Sequence, residues 1–168
     1  MQTDILIVGA GLSGLTLADD ILFLDDEATG AAEPVDDATR LERGPAFASL
    51  PSPREGEVDW PTFRHDPARS STTSCDVNFP LRQRWCRKLS GRVTSPVASD
   101  GRLAVSEIDA RTVHALDAES GDPVWSFIAG GRVDSPPTFA DGLTVFGAAD
   151  GCIYCLRSAD GALVWRFQ

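Results

Sequence analysis

From residue 91 onward the chain alternates short apolar runs with turn signals. Ser95-Pro96, Asp100-Gly101, Ile108 to Arg111 and Glu119 to Asp122 punctuate the first stretch, and between them lie Arg102-Leu103-Ala104-Val105-Ser106 and Thr112-Val113-His114-Ala115-Leu116. Runs of this length, rich in β-branched residues, predict strands and not helices of about ten or more residues. The plan then recurs: Asp141-Gly142, Leu143-Thr144-Val145-Phe146, Asp150-Gly151, Cys152-Ile153-Tyr154-Cys155-Leu156, Asp160-Gly161 and Leu163-Val164-Trp165. An Asp-Gly pair between two such runs is a strong hairpin signal. A helical reading fails because Gly or Pro interrupts every candidate helix, each at roughly 1 to 3 kcal/mol in a helix interior.

The two stretches are copies of one another. At an offset of 40, residues 91–127 match residues 131–167 at 12 of 37 positions, including Gly91/Gly131, Ser95/Ser135, Pro96/Pro136, Leu116/Leu156, Gly121/Gly161, Trp125/Trp165 and Phe127/Phe167. Trp85 stands a further 40 residues upstream of Trp125. A fixed period of about 40 marks solenoids and propellers, whose units bury a face only by stacking on a neighbour. Four short antiparallel strands in that span make one propeller blade. The expected fold is therefore mainly β: an incomplete β-propeller of about two four-stranded antiparallel blades, preceded by a short N-terminal β-α segment (residues 1–20) and an acidic linker (residues 21–58).

The segment Ala115-Leu116-Asp117-Ala118-Glu119-Ser120-Gly121-Asp122-Pro123-Val124-Trp125 resembles the repeat motif of pyrroloquinoline-quinone-type (quinoprotein-like) propellers. The second copy keeps Gly161 and Trp165 but has Arg157 where the first has Asp117. Asp59-Trp60-Pro61-Thr62-Phe63-Arg64-His65-Asp66 resembles the lead-in to the first blade of such proteins, so the likeness covers residues 59–168. It implies that Trp85, Trp125 and Trp165 dock on successive blades, with Gly121 and Gly161, the glycines kept in both copies of the motif, as structural docking residues beside them. Members that bind the quinone use adjacent cysteines over the cofactor, a Trp beneath it, and acidic and Asn side chains around calcium. No adjacent cysteines occur here. Two blades and a preceding outer strand at residues 81–89 cannot close a ring, which needs at least about four blades. A truncated propeller is the expected explanation, ahead of self-assembly through open blade edges.

Charge changes the picture only locally. Of the net −10, residues 19–59 hold −9, with 12 Asp or Glu against 3 Arg. With few aromatics, that stretch is expected to be extended or disordered. Arg82, Arg84, Arg87, Lys88 and Arg92 form the one basic cluster and read as a charged outer strand facing water, well short of a nucleic-acid footprint. Cys152 and Cys155 have redox or half-zinc spacing, yet on a strand residues i and i+3 point to opposite faces. Cys75 and Cys86 lack ligand spacing for a second pair, so no metal site is expected. No run of 18 apolar residues or basic-then-apolar leader occurs, so neither a membrane span nor a secretory signal is expected, and the compartment stays open.

One further motif stands apart. Asp4-Ile5-Leu6-Ile7-Val8-Gly9-Ala10-Gly11-Leu12-Ser13-Gly14 resembles the opening of flavin-dependent oxidoreductases. In such a turn Gly9 would make the bend, Gly11 would let the backbone approach a pyrophosphate, and Gly14 would let the helix pack on the strand. The next apolar run, Ile21-Leu22-Phe23-Leu24, comes too early for a complete helix, and no further βα unit follows. Binding of FAD, like binding of the quinone, would need a longer parent protein. His65 and His114 are the only histidines, and His114 occupies the slot of Tyr154 in the next repeat, a packing position. No nucleophile, base and acid constellation stands out. The expectation is a non-catalytic propeller module acting as a protein or ligand scaffold, with no catalytic residue. The alternative is a fragment of a quinone- or FAD-dependent oxidoreductase.

Overall fold

The computed structural model describes residues 37–51, 60–73 and 80–168. A helical turn α1 (Asp37–Arg40) leads into β1 (Leu41–Arg43), and eight further strands follow. These are β2 (Val97–Ser99), β3 (Arg102–Glu107), β4 (Thr112–Asp117), β5 (Pro123–Ile128), β6 (Thr138–Ala140), β7 (Leu143–Gly147), β8 (Ile153–Arg157) and β9 (Leu163–Phe167). They form two antiparallel sheets, β2-β3-β4-β5 and β1-β9-β8-β7-β6, which do not close into a ring. Each repeat thus folds as one four-stranded meander, as the periodicity required.

The expected turns have physical causes visible in the backbone. Asp100 and Gly101 have φ of 52° and 70°, and Asp141 and Gly142 have 50° and 74°. Positive φ at both central residues is the two-residue hairpin geometry that matches strand twist. The register follows, with Ser99 opposite Arg102 and Ala140 opposite Leu143. Each blade also carries a register shift at the repeat-equivalent step, Ala115/Leu116 in one and Cys155/Leu156 in the other.

The main core lies between the sheets. Val113, Ala115 and Trp125 of the first blade meet Phe146, Tyr154 and Leu156 of the second, with Phe127 packed alongside. Phe146 and Tyr154 stack at 5.4 Å, and Phe127 meets both rings edge-on. At the inner edges, Trp60 exchanges backbone hydrogen bonds with Ala98, and Phe139 donates to Pro61 O at 2.8 Å. The lead-in segment therefore ties β2 and β6 together.

Two expectations need correction. Residues 37–51 were assigned by composition to an extended or disordered linker, yet β1 pairs with β9 and Ala46 is 2 % exposed. Backbone pairing and the apolar Ala46 and Phe47 order a segment whose average composition is polar. Residues 81–89 were expected as an outer strand, but they form no strand. Their place is fixed instead by side chains, as described next.

Candidate functional site

The chemistry-bearing residues gather at the seams where one blade meets the next. The Trp125 ring lies against Gly161, whose absent Cβ would sit 2.7 Å from Trp125 Cδ2, and Trp125 Nε1 donates to Ser158 O at 2.9 Å. Forty residues upstream the arrangement recurs: Trp85 lies over Gly121, where a Cβ would be 2.5 Å from Trp85 Cδ2, and its Nε1 donates to Ala118 O at 3.0 Å. Gly121 and Gly161 both have positive φ, 74° and 71°. A side chain there would suffer twice, from left-handed backbone and from the indole. Trp165 has a different environment. It is half-buried beside Ala46, Cys155 and Val164.

Polar groups complete each seam. In the first blade, Glu107 is 5 % exposed, accepts a short hydrogen bond from Ser90 Oγ, and lies 3.1 Å from His114 Nε2. The Ser90 hydrogen bond, followed by that of His114, holds its carboxyl below the usual range against the opposing effect of burial. In the second blade, Tyr154 fills the repeat slot of His114, donating to Asp150 Oδ2 at 2.5 Å and accepting from Gly130 N at 3.1 Å. Burial and the Asp150 hydrogen bond push its phenol up. Ser90 and His114 both bond to Glu107, on different oxygens, and no Ser90–His114 hydrogen bond is present. A serine whose neighbour is a carboxylate and not an imidazole has no base of the hydrolase kind.

Three of the five residues in the basic cluster tie to the blade. Arg84 pairs with Glu119 at 3.2 Å, Arg92 with Asp109 at 2.9 Å, and Arg87 Nη1 donates to Gly121 O at 3.3 Å. The cysteines divide as strand alternation requires: Cys152 belongs to the core between the blades and Cys155 to the opposite face. Burial pushes the Cys155 thiol up to about 11. Among the described residues no three acidic, His or Cys side chains converge as a metal site would need. The residues present do not fit a quinone site: the described cysteines are not adjacent, and the Trp85 and Trp125 rings are pressed onto glycines. Gly9, Gly11, Gly14 and Cys75 lie outside the described residues.

A family model described as outer membrane protein assembly factor BamB matches residues 52–168. The chain belongs to the BamB family. Its repeats are thus PQQ-like propeller repeats, as the Trp and Gly pattern suggested. This BamB-family chain is 37 % identical to outer membrane protein assembly factor BamB of Shewanella oneidensis over 54 residues, 32 % of the chain and 14 % of that protein. Among solved structures it resembles BamB from Moraxella catarrhalis, with 27 % identity and a TM-score of 0.45 over 51 % of this chain and 26 % of that one. It also resembles quinohemoprotein alcohol dehydrogenase from Comamonas testosteroni, with 22 % identity and a TM-score of 0.52 over 79 % of this chain and 21 % of that one. The chain therefore spans a small part of the length of each relative. Among the described residues no helix is long and apolar enough to cross a membrane.

Sequence reasoning named the Trp and Gly positions but missed Glu107 as the partner of His114. The signal was present: Glu107 and His114 are carried by adjacent paired strands, two register steps apart.

Proposed function

We propose that the chain is a non-catalytic propeller module that serves as a protein-interaction scaffold, its blades held in register by Trp85 on Gly121 and Trp125 on Gly161. The observation that carries this reading is the outer edge of the first blade. Among the described residues, the β5 strand has β4 on one side and no strand on the other. Its Trp125 and Phe127 turn to the core, while Val124 and Ile128 are 42 % and 69 % exposed. An unpaired edge flanked by exposed apolar side chains accepts an extended segment of a partner as an added strand, with main-chain hydrogen bonds giving affinity. The seam polar groups, by contrast, are engaged with one another, which supports a structural role for them. The name of the family, an assembly factor, supports protein contact as the function.

The test places a photo-crosslinking residue at Ser126, which lies on β5 between Val124 and Ile128, in the full chain within its native host. A discrete protein adduct that disappears in the Ile128→Lys variant is expected. Adducts unchanged by Ile128→Lys would refute the edge as the contact. Turnover of an alcohol in a dye-linked assay with added quinone and calcium would refute the non-catalytic reading.

A further inference from the structure

The face of the second blade turned away from the first is covered by the chain's own residues 41–51. Repeat symmetry shows what that face is. On the first blade Val113, Ala115 and Trp125 receive the next blade, and 40 residues on their equivalents are Ile153, Cys155 and Trp165. On that face Cys155 is fully buried, with Ala46 and Phe47 packed over it beside Leu143, Val145 and Trp165. The β1 strand extends the sheet, pairing Leu41 with Phe167 and Arg43 with Trp165. Gly44 N then donates to Val164 O at 2.8 Å and Ala46 N to Leu163 O at 3.0 Å, carrying the backbone along β9. Ser49 accepts from Arg157 Nη1 at 2.8 Å, Glu42 pairs with Arg166, and Pro51 sits on Gly142.

This cover is lightly held compared with the seam between blades. The cluster beneath it has three buried residues against nine in the core between the blades. Most of its own residues, including Glu42, Arg43, Pro45, Ala48, Ser49 and Leu50, face water. Its grip is a short edge ladder, two charged side-chain ties at the surface and one small apolar plug. Such an element opens at far lower cost than the sheet it rests on.

We propose that the β9 edge and the face around Cys155 form a strand-acceptor site, filled in cis by residues 41–51 and open in trans to the same segment of a second copy. A second copy is the fitting occupant because it supplies the identical Leu41-to-Pro51 sequence, so register and plug match by construction. The tethered segment wins in the monomer by its high effective concentration. The site is separate from the β5 edge, and neither reading requires the other.

The test uses full chains and a fluorescent peptide of residues 40–51. The double variant Ala46→Asp, Phe47→Asp disables the cover without touching the blades. It should bind the peptide by fluorescence anisotropy, while wild type, with its own segment in place, should bind at least ten-fold more weakly. Alkylation mapped by mass spectrometry should show Cys155 labelling rising at least ten-fold in the variant, falling again with peptide, and Cys152 unchanged. Gly44→Ala is a second, uncharged probe, since its Cβ would run into the Leu163 backbone oxygen. It should expose Cys155 in the same way. Absence of peptide binding, or unchanged Cys155 protection in both variants, overturns the proposal. Simultaneous loss of Cys152 and Cys155 protection in both variants also overturns it, because the segment would then be part of the cooperative core and not a separable cover.

Discussion

The Trp and Gly pairing makes a quantitative prediction through a double-mutant cycle at Trp125 and Gly161. Gly161 has φ +71°, and its Cβ would lie 2.7 Å from the indole. Gly161→Ala therefore carries two separable costs. Placing Ala in the left-handed region costs about 1–2 kcal/mol, and forcing the ring aside costs about 1–3 kcal/mol of overpacking, for about 2–5 kcal/mol together. Trp125→Ala removes a side chain 8 % exposed and leaves Ser158 O without its donor, at about 3–5 kcal/mol. In the Trp125→Ala background the clash vanishes, so Gly161→Ala should cost only the backbone part, about 1–2 kcal/mol. The coupling energy is then about 1–3 kcal/mol, well above the scatter of independent sites. Gly101→Ala supplies the control, because Gly101 has φ +70° with nothing within 4 Å of a Cβ. It should reproduce the backbone cost alone. Urea unfolding followed by far-UV circular dichroism measures all five proteins without relying on the altered fluorescence. Equal costs of Gly161→Ala in the two backgrounds, within about 0.5 kcal/mol, would refute docking of the indole on the glycine.

Three further outcomes are expected. Glu107 is held below its ordinary value of 4.5 chiefly by Ser90. Its contribution to stability is therefore present above about pH 4.5 and is lost as pH falls through the lower folded value. Thermal midpoints between pH 3 and 7 should show an acid decline that Glu107→Gln reduces, whereas an unchanged decline would count against the Ser90–Glu107–His114 tie. Tyr154→Phe deletes the hydroxyl bonded to Asp150 and Gly130 and should cost about 1–3 kcal/mol in urea unfolding, with near-wild-type stability as the contrary result. At pH 8 exposed Cys86 should react with a thiol reagent well before Cys155, whose buried thiol lies at about 11; comparable rates would mean that the cover over Cys155 is not closed in solution.

The blades were legible in the sequence because their signals are local. Asp100-Gly101 and Asp141-Gly142 fix hairpins through backbone geometry, and the 40-residue offset that pairs Gly121 with Gly161 and Trp85 with Trp125 marks the repeated docking positions. The covering segment was not legible for the opposite reason. Glu42 and Arg43 pair with strand residues more than 120 positions away in the chain, and nothing in a window around Ala46 and Phe47 distinguishes an apolar plug from two apolar residues in an acidic stretch. Residues 81–89 fail in the other direction. Their spacing from Trp125 is that of an outer strand, yet a strand needs a ladder neighbour, and the segment is held by side-chain anchors instead, Trp85 with Arg84 and Arg87.

Comparing the two seams separates what the repeat preserves from what it exchanges. The Trp indole on a left-handed Gly, with Nε1 on the carbonyl three residues before that Gly, is the same at residues 85/118/121 and 125/158/161. Close packing of a ring on a backbone without Cβ leaves no room for variation, so identity is enforced at both partners. A few residues away the requirement is only that a buried polar atom find a partner, and different chemistry satisfies it. Ser90, Glu107 and His114 do so in the first blade, and Gly130, Asp150 and Tyr154 in the second. The positions do not correspond one for one: Glu107 aligns with Gly147, and Asp150 with Ala110. The acid has moved from the last residue of β3 to the turn between β7 and β8, while the hydrogen-bond requirement of the seam has stayed. One seam is thereby tied through the Glu107 carboxylate, which the Ser90 hydrogen bond holds below its ordinary value, and the other through the Tyr154 phenol, which burial and Asp150 push up, so the same structural requirement is met by groups of opposite acid-base character.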